Sequence, residues 1–242
     1  MLVNSVAATR TAGAWERCGW VAGIVFVVAF LAESVIATGI GLTHNDSPAK
    51  IATGLHRHRE RLLLIAYLSA VYAVMFVIYL CSLYDRLRRD AEWARILAYL
   101  VLVGGVLFVA LHAVSDIGIT GLLGAKLASF SDQHDQGLAY TLYLVTYALD
   151  SVGDVFGSLA AVSAGLLVMK SHVLPRWVGW MAILAGIMFF LQGFGLGGVI
   201  ATFGLVLDLV AFVLFLIFVL ASSIILLRRG DAVRNRPLAQ AG

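Results

Sequence analysis

Six stretches of the chain are apolar for about twenty residues or more, and charged positions gather between these stretches instead of alternating with them. They run from Cys18 to Leu42, Leu62 to Tyr84, Ala94 to Leu123, Leu138 to Met169, Trp177 to Leu196 and Leu205 to Leu227. A helix rises ~1.5 Å per residue, so about twenty residues cross the ~30 Å hydrocarbon core of a bilayer. Inside lipid every backbone N–H and C=O must be bonded within its own segment, which makes helices the expected elements. The pattern predicts an all-α, polytopic membrane protein: a bundle of six transmembrane helices. No connection is long enough to separate folding units, so residues 1–242 are read as a single transmembrane domain. The first stretch is long, contains Glu33 and is followed by no small-residue cleavage site, so it is read as a span and not as a secretion signal.

Composition agrees, with 61% of residues hydrophobic and 13% charged. The net charge of +3 and a pI near 9.0 do not indicate nucleic acid. The basic residues are spread among loops and form no patch with stacking aromatics. In a membrane protein they mark cytoplasmic loops. With the N-terminus inside, the cytoplasmic set is Arg10, Arg17, Arg86, Arg88, Arg89, Arg95, Lys170, Arg176, Arg228, Arg229, Arg234 and Arg236. The opposite side holds only Lys50, Arg57, Arg59, Arg61 and Lys126, so both termini are expected in the cytoplasm. Trp15, Trp20, Trp93, Trp177 and Trp180 fall near the same cytoplasmic ends, where an indole suits the headgroup layer. Cys18 and Cys81 offer no metal-type spacing and no expected disulfide. Residues 228–242 read as a flexible basic tail touching lipid headgroups.

Counting inward from the cytoplasmic anchors converts position into depth. Glu33 lies sixteen residues beyond Arg17, roughly 24 Å along its helix. The same count places His112, Asp116, Asp150, Asp154, Gln192 and Asp208 in the extracytoplasmic third as well. Residues at i and i+4 share a helix face, so Asp150 with Asp154, and His112 with Asp116, can each turn toward the protein interior. An intramembrane charge costs roughly 2.5 to 3.5 kcal/mol at the helix centre and less near the interface. An outward-facing acidic vestibule, closed on the cytoplasmic side by apolar packing, follows. The competing reading is structural: Asp208, Asp150 and Asp116 as hydrated helix ends, and Glu33, His112 and Asp154 as charges that fix helix register.

Between the first two stretches stands H-R-H-R-E-R, in which Arg57, Arg59 and Arg61 alternate with His56, His58 and Glu60. Three readings stand: snorkelling at a helix start, binding of lipid phosphates, or a basic rim over the vestibule. On the rim reading Arg61 is the counter-ion of Asp150 or Asp154. The segment F-S-D-Q-H-D-Q-G at 130 to 137 reads as a solvated turn.

Several motifs are tested and set aside. G-F-G-L-G-G at 193–198 matches the dinucleotide fingerprint in letters but follows an apolar helix and has no βαβ setting; it reads as a turn into the last span. His112, Asp116, Asp150 and Asp154, two i, i+4 pairs, remain weak candidates to hold a divalent ion with nitrogen and oxygen ligands, a poor set with no second deep histidine and no thiolate. Ser115 and Ser151 beside aspartates are not a triad, and no nucleophile elbow occurs. Gly153 with Gly157 and Gly19 with Gly23 have the small-xxx-small spacing of closely packed helices, within one chain or between copies in a homo-oligomer.

Residues 166 to 186 read L-L-V-M-K-S-H-V-L-P-R-W-V-G-W-M-A-I-L-A-G. This resembles the connection between spans four and five in a bacterial family of six-helix integral membrane proteins, the domain-of-unknown-function 4386 family, where K-S-x-x-L-P-R-x-x-G recurs. Lys170, Ser171, Leu174, Pro175, Arg176 and Gly179 carry the match. The resemblance implies the fold and, for a bacterial protein, a multi-pass place in the inner (plasma) membrane; it implies no activity. The H-R-H-R-E-R stretch and the Asp150/Asp154 pair have no counterpart in that pattern.

Three functions compete. The residues lean toward a non-enzymatic carrier or ion-coupled protein, with no cofactor, whose acidic vestibule binds or conducts a cation, a proton or a small cationic solute. The others are a membrane-embedded hydrolase or transferase acting on lipid, with His112 as base and the aspartates orienting it or a metal, and a non-catalytic scaffold or accessory subunit. Beyond the lipid bilayer, the partners expected are a second copy and the cation.

Overall fold

A computed structural model describes residues 2–42, 46–88, 92–123, 136–171, 173–193 and 201–234. Each apolar stretch is occupied by a helix: α1 (Leu2–Thr38), α3 (Arg59–Leu87), α4 (Glu92–Ala113), α5 (Gln136–Ser171), α6 (Arg176–Gly193) and α7 (Ala201–Arg234). A short α2 (Pro48–Arg57) precedes α3, and α4 continues as a π-helical segment, Val114–Leu123. The described residues contain no strand. Five helical segments are long and apolar enough to cross a bilayer: Trp15–Thr38, Arg59–Leu87, Ala94–Gly118, Gln136–Ser171 and Leu209–Arg229. Such segments make this a multi-pass integral membrane protein. The fifth predicted stretch forms a shorter apolar helix, Arg176–Gln192. The helix of the last stretch runs on to Arg234, beyond the Leu227 expected.

Consecutive long helices pack side by side, α1 on α3, α3 on α4, α4 on α5, α5 on α6 and α6 on α7, and α7 closes the ring against α1. Lipid tails are as apolar as leucine, so the ring is held by close contact more than by removal from solvent. Glycines allow that contact. A Cβ on Gly157 would meet the Phe108 ring at 2.6 Å, and one on Gly23 would meet Ser223 Oγ at 2.2 Å. The spacings read as packing signals therefore serve helix pairs within this chain.

The centre of the ring is filled by aromatic rings. Phe26 lies 4.7 Å from Phe76, Phe30 5.1 Å from Phe212, and Phe189 5.0 Å from Phe212. Trp20 belongs to this core at 3% exposure, edge-on to Tyr79, and so is not the headgroup anchor expected. Its side of α1 faces α3, whereas Trp15 at 73% exposure does face outward. Tyr79 and Ser222, both buried, satisfy each other at 2.7 Å.

The connection carrying α2 is the element the hydropathy pattern missed. Ser47 caps the helix by accepting the Lys50 N–H, and Pro48 occupies the first turn, where its missing N–H costs nothing. Ile51 and Leu55, one turn apart, are buried against Leu62 and Ala139, with Tyr140 and Tyr143 packed alongside. An amphipathic helix thus lies across the end of the bundle where α3 and α5 begin.

Candidate functional site

His112, in the last turn of α4, occupies space that a side chain at position 153 of α5 would fill. A Cβ on Gly153 would stand 2.7 Å from Nδ1. The ring is fixed on one side by its Nδ1, 2.9 Å from the carbonyl oxygen of Phe108. That oxygen only accepts, so Nδ1 carries the hydrogen. Nε2 then faces Asp154 Oδ1 at 3.6 Å, an ion-pair distance longer than a hydrogen bond. Two lone-pair atoms facing each other repel unless a proton stands between them, so the pair accommodates one proton, on the ring or on the carboxyl. Asp154 is 2% exposed.

Asp116 points elsewhere, although the i, i+4 spacing put it on the face of His112. The chain between them passes from α to π geometry, and the wider π turn changes the register. Gly121, in the same segment, lets it approach α3, since a Cβ there would meet Ala66 at 2.3 Å. Asp116 Oδ2 accepts hydrogen bonds from Tyr72 Oη at 2.6 Å and Ser69 Oγ at 3.3 Å. Tyr72→Phe is expected to lower stability by about 1–3 kcal/mol, the cost of leaving a buried hydrogen-bonding group without its partner. Ser69→Ala, with its longer bond, should cost less. Chemical unfolding in detergent micelles measures both.

The remaining acids close the cluster. Glu33 of α1 lies within electrostatic range of Asp116, Asp150 and His112, and His112 lies within range of Asp150, Asp154 and Asp116. Three helices therefore bring Glu33, His112, Asp116, Asp150 and Asp154 into one field. Below it lies the aromatic core: the Phe108 ring sits 4.5 Å from the imidazole and also touches Phe76, Phe189 and Phe215. Toward the α2 end, Tyr143 is within range of both Asp150 and the half-buried Asp46, and α2 packs beside it. The cluster thus has an aromatic floor and a side wall beneath α2.

The other candidate residues stand apart. Arg61 Nη1 donates to the Gly39 carbonyl at 2.9 Å, at the end of α1. That cation stabilises a helix C-terminus, while the group beside Asp154 is the His112 imidazole. Arg57 and Arg59 are exposed at the break between α2 and α3. Gln192 is in the last turn of α6, its Oε1 buried with no hydrogen-bond partner among the described residues. Asp208 lies on α7 one turn before Phe212, and its side chain falls outside the described residues, as do the glycine-rich 194–198 and most of 130–137. No three His, Cys, Asp or Glu side chains among the described residues form a group able to hold a metal ion. The hydroxyls of Ser115 and Ser151 bond to the carbonyls of Thr146 and Tyr147, so neither is aligned on His112.

At the opposite end of the bundle the K-S-H-V-L-P-R turn is a clasp. Ser171 Oγ accepts the Val173 N–H, the Val173 carbonyl accepts from Arg229 of α7, and the Pro175 carbonyl accepts the Val178 N–H. Leu174 and Val178 are buried. A family model for a domain of unknown function, DUF4386, matches residues 19–230. The chain belongs to the DUF4386 family. This bears out the resemblance carried by Lys170 to Gly179, and the clasp gives the DUF4386 turn a structural role: it ties the ends of α5, α6 and α7 together. No curated protein and no solved structure matches the chain.

Sequence reasoning missed Ser69 and Tyr72. A serine and a tyrosine on an apolar helix are unremarkable in composition; their spacing of three, which sets both on one face of α3, was the available signal.

Proposed function

We propose that this DUF4386 protein is a membrane carrier or ion-coupled protein that takes a proton or a small cation into the cluster of Glu33, His112, Asp116, Asp150 and Asp154 from the α2 side. The observation that carries the reading is convergence: α1, α4 and α5 supply four carboxyls and one imidazole to one field above an aromatic floor. Like charges gathered at low dielectric are relieved by a proton or a cation. The His112–Asp154 pair, which holds one proton, is the natural first site. In this reading α6 also crosses the bilayer, as the fifth of six spans, with Trp177 and Trp180 of its first turns in the headgroup layer. Both termini are cytoplasmic, the α2 end faces outward across the inner (plasma) membrane, and a homo-oligomer supplements a bundle that is small for a lone carrier.

The test is the full chain in proteoliposomes enclosing a pH-sensitive dye. An imposed proton or cation gradient is expected to collapse faster than in protein-free vesicles. Equal rates under every gradient would remove the carrier reading. Reporter fusions at each terminus check the orientation, and activity of the C-terminal fusion only on the periplasmic side would reverse it.

A further inference from the structure

We infer that the groove between the end of α1 and α2 binds the phosphate of an anionic phospholipid. The groove encloses about 380 Å³ and is lined on one side by Ile40 and Leu42 and on the other by Lys50, Thr53, Arg57 and His58. Its place in the fold sets its depth. α1 carries the exposed apolar side chains Leu31 and Val35 up to its end at Thr38, and α2 buries Ile51 and Leu55 while Lys50 and Arg57 remain exposed. A transmembrane helix end beside an amphipathic helix with a basic face is the arrangement of the headgroup layer.

The lining divides as a phospholipid divides. Arg57 and His58 present donors to a phosphate, and Arg offers a planar fork that suits its oxygens. The break in the helix at His58 leaves the first-turn amides of α3 with no intrahelical acceptor beside the Arg57 cation, and such amides favour an anion. Lys50 contributes less, because Asp46 Oδ1 holds its Nζ at 2.7 Å. Ile40 and Leu42 give a free phosphate nothing, but they suit the glycerol and first methylenes of an acyl chain. The site is independent of the acidic cluster and accounts for basic residues on the side where the charge rule places few.

The experiment is native mass spectrometry of the full-length, delipidated protein titrated with phosphatidylglycerol, with inorganic phosphate as a separate arm. Phosphatidylglycerol is expected to stay bound at collision energies that strip phosphatidylcholine. Arg57→Gln should reduce its retention several-fold, and Thr53→Trp, which fills the groove without changing charge, should do the same. Lys170→Gln, at the other end of the bundle, should leave retention unchanged. Retention insensitive to both groove variants would overturn the proposal. So would binding of inorganic phosphate that is lost in Arg57→Gln while the lipid is held no better than phosphatidylcholine, because the groove would then be a free-anion site.

Discussion

Asp154→Asn is expected to reduce gradient-driven uptake in proteoliposomes to the level of protein-free vesicles while leaving a folded, monodisperse protein. The substitution keeps size and shape, and the asparagine amide can donate to Nε2 of a neutral His112, whose Nδ1 remains on the Phe108 carbonyl. The two facing atoms thereby stay complementary, donor to acceptor, so the effect on stability should be about 1 kcal/mol or less. What is lost is the second group able to trade a proton with the ring. Asp154→Glu retains the carboxyl and is the companion variant: partial uptake from it, with none from Asp154→Asn, assigns the effect to the proton and not to shape. Wild-type uptake from Asp154→Asn with an unchanged unfolding midpoint would dismiss the pair as the transport site and leave it a device for fixing α4 against α5.

The all-helical membrane fold was legible because hydropathy reports burial in lipid directly, and the requirement to satisfy backbone groups within each segment leaves little choice of element. The depth count rests on the constant rise per residue along a helix, and the fold brings Glu33, His112, Asp116, Asp150 and Asp154 within electrostatic range of one another. What the count could not give was azimuth past a change of helix type. The i, i+4 rule joined His112 to Asp116, yet the π segment beginning at Val114 turns one toward α5 and the other toward α3. Trp20 shows the corresponding limit of composition, since an indole near a helix end packs inward when its neighbour across the interface is Tyr79. The α2 helix escaped because ten residues with alternating apolar and basic turns raise no hydropathy signal, although Ser47 and Pro48 marked its start. The family turn was the reverse case. Its letters were conspicuous, while its job, accepting Arg229 from a helix more than fifty residues away, needed the fold.

The second large effect concerns the helix pair joined by that turn. Gly165→Leu is expected to abolish the folded state in detergent, and Gly165→Ala to destabilise it by about 1–3 kcal/mol or more, the cost of overpacking a contact that cannot relax freely. A Cβ at Gly165 would lie 2.6 Å from the carbonyl oxygen of Gly179 and 2.6 Å from Ile183 Cγ1, and a Cβ at Gly179 would lie 3.0 Å from the carbonyl oxygen of Gly165. The neighbours in the first and third of these contacts are backbone, so relief requires α5 and α6 to separate, and with them the clasp at Val173. Gly137, in the first turn of the same α5, provides the contrast: a Cβ there meets nothing within 4 Å. Gly137→Ala should therefore be neutral or stabilising by roughly 0.5–1 kcal/mol, the helix-propensity gain. Measured in one detergent, the unfolding midpoint of Gly165→Ala should fall while that of Gly137→Ala holds or rises. Equal midpoints would mean that the α5–α6 spacing is not set by the glycine contact, and that the motif's glycine serves a purpose other than close approach.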